Sequence, residues 1–160
     1  MSAGYGPLYA TPLEGAWITV LTDLYVRLLA LERIHWSAHL ITTGPSAYQD
    51  HLLYERLYKA TQEALDTVGE RLAALGDGQG LDARQNLLQA AALVPSTRLL
   101  LTRSLEAETA LVASLNDGIA RLRKEGPLPA DLDDLLLSQA NDAEARRYFL
   151  LQRSRGSHAR

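Results

Sequence analysis

The 160-residue chain has no cysteine, one methionine and one phenylalanine, and only Lys59 and Lys124 of its sixteen basic residues are lysine. The missing cysteines exclude disulfides and thiolate metal sites. No apolar run reaches the roughly 18 residues that a membrane span needs. The opening MSAGYGPLYATP has neither the charged start nor the apolar stretch of a secretion signal, and a cytoplasmic protein is expected. Charge of one sign is missing at each end. No Lys or Arg precedes Arg27, and no acid follows Glu144, after which come Arg146, Arg147, Arg153, Arg155 and Arg160.

What is present is leucine and alanine. They carry most of a 47% hydrophobic share, which favours helix over sheet. Pro and Gly cut the chain into four long segments. The first runs from about Leu13 to Ile41 and stops at Thr43-Gly44-Pro45. The second opens at Pro45-Ser46 and closes at Gly76, the third opens at Pro95 and ends at Gly126-Pro127, and the fourth starts near Pro129. A short helix over 81–92 is expected in the long connection between the second and third. The pattern predicts an all-α, ferritin-like four-helix bundle whose long crossover carries that short helix. Residues 1–12 are expected as an N-terminal tail, 13–153 as the bundle and 154–160 as a basic C-terminal tail.

Three of four histidines fall between His35 and His51. On a helical projection with His51 at zero, Glu55 lies near 40°, Asp66 near 60° and Glu70 near 100°. Leu53, Leu57, Ala64, Val68, Leu72 and Leu75 gather on another side, around 200–300°. The His/acid stripe therefore faces away from the subunit's own core, either as a solvated face or as a metal surface. His51/Glu55 and Asp66/Glu70 are each i,i+4 pairs that can pinch an ion. The helix rises about 16 Å between Glu55 and Asp66, whereas metal–ligand bonds are only about 2 Å. One chain cannot join the two pairs. Two copies packed antiparallel about a two-fold near Ala60–Thr61 can, and symmetry then makes two equal sites. Gly69, on this face, would permit close approach of a partner. Histidine and carboxylate without sulfur suit Fe(II), Mn or Zn. Glu32, His35 and His39 form a second stripe on the first helix. Glu32-Arg-Ile-His35 is the chain's single E-x-x-H, whereas an intrachain di-iron bundle needs two.

These residues resemble the Dps family of miniature ferritins. The similarity rests on His35-Trp36, Gly44 followed by His51, Glu55, Asp66-Thr-Val-Gly-Glu70-Arg71 and Ala73-Ala-Leu-Gly76, with weaker echoes at Asp134-Leu-Leu and Tyr148-Phe149-Leu150. The resemblance implies a ferroxidase that oxidises Fe(II), preferably with hydrogen peroxide, at two-fold subunit interfaces and stores ferric mineral in a hollow twelve-subunit shell. It implies His35, His51 and Glu55 as ligands from one chain and Asp66 and Glu70 from its neighbour, with Glu70 the most direct. Trp36 would absorb an electron hole or simply pack as a ring. Two departures stand out. Glu55 replaces the usual Asp, and His35 lies one helical turn further from Gly44 than usual, so His39 occupies the expected spacing while His35 keeps the Trp. His35 is the preferred ligand and His39 the alternative.

Asp131, Asp133 and Asp134 either line an iron-entry pore, as the resemblance implies, or favour a helix dipole. The Arg-rich C-terminus could touch DNA phosphates, with avidity across a shell. Two rival readings stay open: a ferritin-like manganese or iron redox enzyme without storage, and a non-catalytic helical assembly or DNA-packing protein.

Overall fold

The computed structural model describes residues 12–76 and 78–157, all-helical with no strand among them. Five helices follow in order: α1 (Pro12–Ile41), α2 (Ala47–Gly76), α3 (Ala83–Ala92), α4 (Leu100–Glu125) and α5 (Ala130–Ser157). The expected four long helices and short crossover helix are present. The third long helix starts at Leu100 rather than at Pro95, with bends at Ser96 and Arg98 between. The last helix continues to Ser157, so it runs into the segment expected as a basic tail; Pro12 of the expected N-terminal tail begins α1, while residues 1–11 and 158–160 lie outside the described residues. No described helix is long and apolar enough to cross a membrane.

Local chemistry sets the boundaries. Gly44 closes the α1–α2 turn with φ +92°, a conformation that costs a side-chain-bearing residue energy. Asp82 caps α3 by accepting from the Gln85 amide at 2.7 Å. Gly80 stands at φ +80°, and a Cβ there would meet Thr22 Oγ1 at 2.2 Å, so the crossover can pass α1 only with glycine at that point.

Three apolar clusters form the core, two along the bundle and a small one under the crossover helix. Of the two along the bundle, the larger joins Leu21, Leu24, Leu28 and Leu31 of α1 to Val68 and Leu72 of α2, Leu111, Leu115 and Leu122 of α4, and Leu132 and Leu136 of α5. The smaller contains Ala38, Tyr54, Leu57 and Leu150, with Leu100, Leu101 and Leu105 against it. From larger to smaller cluster, α1 and α5 run in ascending residue number and α2 and α4 in descending number. The two pairs are therefore antiparallel, and the crossover must return along the bundle. It does so with α3 packed on α1 through Ala90 against Val26 and Ala30.

Candidate metal centre

The outward stripe of α2 lies where the projection put it. Tyr54, Leu57, Thr61, Ala64, Val68 and Leu72 are buried, whereas His51, Asp66 and Glu70 are exposed and Glu55 is half-buried. Gly69 has an intrachain reason for lacking a side chain: a Cβ there would come within 3.1 Å of the Tyr25 ring of α1.

The structure brings His39 to His51. Their rings stack with centroids 3.9 Å apart and planes 28° apart. Each Nδ1 reaches the other residue's backbone carbonyl, His39 to His51 O at 3.2 Å and His51 to His39 O at 3.0 Å. A carbonyl can only accept, so each Nδ1 carries the hydrogen and each Nε2 of the neutral ring keeps its lone pair for a ligand. The His39 carbonyl belongs to the last turn of α1, where no intrahelical donor reaches it, so the His51 ring also finishes that helix. Tyr58 closes the group, 5.2 Å from His39 and edge-on to Trp36 at 4.9 Å, with Trp36 itself 5.9 Å from His39. Glu55 sits beside them. The Lys59 ammonium, bonded to it at 2.6 Å, holds its carboxyl below the usual range, and both imidazoles push in the same direction.

His35 goes elsewhere. It is fully buried in the bundle, its Nδ1 3.4 Å from Thr61 Oγ1 and its Nε2 3.8 Å from Glu108 Oε1. Burial first, and then the positive charge of Arg146, lower its pKa to about 3, so the ring is neutral. The expected stripe of Glu32, His35 and His39 therefore splits. Glu32 and His35 turn inward, while His39, one turn on and about 40° further round the helix, emerges at the α1–α2 turn.

Asp66 and Glu70 open on a cavity of about 390 Å³ with Tyr25, Glu32, Arg33, Gln62 and Gly69 on its walls. Glu32 is buried there, paired with Arg33 at 2.5 Å and accepting from Gln62 at 3.2 Å. Among the described residues no three ligand-type side chains converge within one chain. The imidazole end and the acid end stay apart, as the helix rise requires.

Two further groups are engaged otherwise than the sequence suggests. Asp131 pairs with Arg71 and Asp133 with Arg123 at 2.8 Å, which leaves Asp134 as the acid of that trio without an ion pair among the described residues. Of the arginines in the basic run, Arg146 binds Glu108, Arg147 binds Glu144 and Arg153 binds Asp50. Glu108, Thr61 and Tyr58 were not singled out from the sequence. Glu108 had a visible signal, since it interrupts the apolar rows of α4 with a charge at a core register.

No protein-family model matches the chain, and no curated protein sequence does. Solved structures do. DpsC from Streptomyces coelicolor superposes with TM-score 0.80 at 22% identity, over 95% of this chain and 91% of that one. Dps from Thermosynechococcus elongatus gives TM-score 0.78 at 20% identity, over 89% and 92%. Dps from Microbacterium arborescens, solved in a high iron form, gives 0.73 at 20%, over 95% and 98%. The fold is that of the Dps proteins.

Proposed function

We propose that the chain is a Dps-type miniferritin, a ferroxidase that takes Fe(II) as substrate and stores the ferric product inside a homo-oligomeric shell, twelve-fold as in that family. The observation that carries this reading is the locked His39/His51 pair, with Glu55 beside it, on the same outward stripe as Asp66 and Glu70. In an antiparallel pair of copies, His39, His51 and Glu55 of one face Asp66 and Glu70 of the other. His39 replaces His35 as the first-helix ligand in this proposal. Its Nε2 is open at the outward face, whereas that of His35 is sealed in the interior.

Each residue then has a defined task. The two backbone carbonyls hold each Nδ1 as the donor, so both imidazoles turn Nε2 towards Fe(II). Glu55, Asp66 and Glu70 supply the negative charge that favours Fe(III) over Fe(II). Two Fe(II) ions give one electron each to hydrogen peroxide, which takes up two protons and leaves as two waters. Paired one-electron donors avoid releasing hydroxyl radical. Trp36, in ring contact with Tyr58 and His39, is a reservoir for an unpaired electron. Any DNA contact would rest on Arg155 and the residues after it, because the other arginines of the run are held by carboxylates.

The test is the mass of the assembly by size exclusion, followed by Fe(II) with peroxide while ferric absorbance is watched. A twelve-fold mass, with fast oxidation lost in His51→Ala and Glu70→Ala, supports the proposal. Unchanged rates in both variants would remove these residues from the site. Turnover of peroxide without mineral would favour the non-storing redox enzyme, and a shell indifferent to iron the structural reading.

A further inference from the structure

One side chain from each long helix meets at a single level of the bundle: His35 of α1, Thr61 of α2, Glu108 of α4 and Arg146 of α5. This polar layer lies between the two apolar clusters, and all four residues are buried. Thr61 donates its one hydroxyl hydrogen to Leu57 O at 2.8 Å, so towards His35 Nδ1 it can only accept. The imidazole hydrogen is therefore on Nδ1, and Nε2 presents a lone pair to Glu108 Oε1 across 3.8 Å with no hydrogen-bond partner. Two acceptors facing each other in a buried layer call for a cation between them. Their separation is also that of two ligands on one ion, since bonds of about 2.0–2.2 Å place neighbouring ligand atoms roughly 3–4 Å apart. Thr61 behind the imidazole is the kind of outer partner that orients a metal ligand.

The chain supplies its own cation. Arg146 Nε donates to Glu108 Oε1 at 2.6 Å, and Oε2 of Glu108 and one terminal nitrogen of Arg146 have no partner. Glutamate and guanidinium cancel, so a divalent ion added beside them would leave two buried positive charges uncompensated, which is prohibitive. We propose that this layer is a latent intrasubunit site for a divalent transition-metal ion, with His35 and Glu108 as its ligands, and that Arg146 stands in the ion's place and closes the site. The guanidinium thereby keeps the subunit interior free of iron. Taking it away leaves a carboxylate, an imidazole lone pair and empty volume, which a divalent ion can fill.

Co(II) is a suitable probe, because nitrogen and oxygen ligation gives it a visible d–d spectrum independent of any ferroxidase activity. The full-length Arg146→Ala protein is expected to hold about one Co(II) per subunit more than wild type, with Tm raised by Co(II) and lowered again by EDTA. Adding His35→Gln should remove both the extra ion and the metal-dependent Tm. Arg146→Gln, which removes the charge with less loss of volume, is measured in parallel, including after refolding with Co(II). If neither variant gains an ion, folded or refolded, the proposal is overturned. It is equally overturned if wild type already loses a bound ion on His35→Gln. Neither result depends on whether the outward stripe oxidises iron.

Discussion

His35 and His39 stand one turn apart on the same helix and do opposite things. His35 lies in a buried layer between two apolar clusters, neutral by burial, with one nitrogen on a threonine and the other aimed at a carboxylate already held by arginine. His39 is at the outward edge, stacked on His51, each ring steered by the other's backbone carbonyl. Both have Nδ1 held by an oxygen acceptor, which leaves Nε2 as the nitrogen turned towards a ligand. What differs is access and the local charge count. An exposed pair can accept an ion together with carboxylates from a second copy, whereas the buried ring has its positive charge built in.

The comparison can be broken hardest at Glu108. Glu108→Ala leaves Arg146 buried without a counter-charge, and a loss of roughly 3–5 kcal/mol in unfolding free energy is expected. Chemical denaturation measures it, while the oxidation rate per folded subunit should persist. A loss below 1 kcal/mol would mean that water reaches the layer.

At the outward pair, His39→Ala or His51→Ala should lower Fe(II) oxidation by about tenfold to a hundredfold or more, the range lost when even supporting residues of metal sites are removed. His35→Gln should leave the initial rate within about twofold. The reverse ranking, read from stopped-flow ferric absorbance, would return the first-helix ligand to His35.

A pH scan sharpens the contrast. The pKa of His35 falls from 6.5 to about 3 on folding, so its stability contribution is intact above about pH 6.5 and is lost as pH falls towards 3, because only the unfolded chain takes the proton. The slope approaches about 1.4 kcal/mol per pH unit. Glu108, raised by burial, acts with the opposite sign, since the folded state then gains from protonation at low pH. Between pH 6.5 and about 3, His35→Gln should flatten the decline. An equal slope in that variant would assign the decline to other groups.

The smallest effect belongs to Lys59. Lys59→Ala removes a solvent-screened ion pair and should leave stability almost unchanged. It should still tighten Fe(II) binding by a few-fold, since the ammonium competes for Glu55. Titration calorimetry under anaerobic conditions checks this, and weaker binding in the variant would make Lys59 a support for Glu55 rather than a competitor.

Much of the fold was legible because it rests on local rules. Gly44-Pro45, Gly76 and Gly126-Pro127 punctuate the chain, and the 3.6-residue period of α2 separates its core face from its outward stripe. The start of α4 was less so, since bends at Ser96 and Arg98 follow Pro95 and the helix waits until Leu100. The first-helix stripe misled in a different way. Spacing puts Glu32, His35 and His39 on one side, but a side spans buried and exposed positions wherever the helix leaves the bundle. Residue type could not separate them either, since histidine serves equally in a buried layer and at an outward face.

The sequence by itself determined that this chain is an all-helical bundle with a crossover, and that its α2 carries imidazole and acid ends too far apart to meet within one copy. Both follow from the fixed period and rise of the helix. Only the tertiary structure decided which histidine joins His51, that Arg146 belongs to Glu108 rather than to the surface, and that Gly69 makes room for Tyr25. These are pairings between residues far apart in sequence, set by how four helices pack in depth and register.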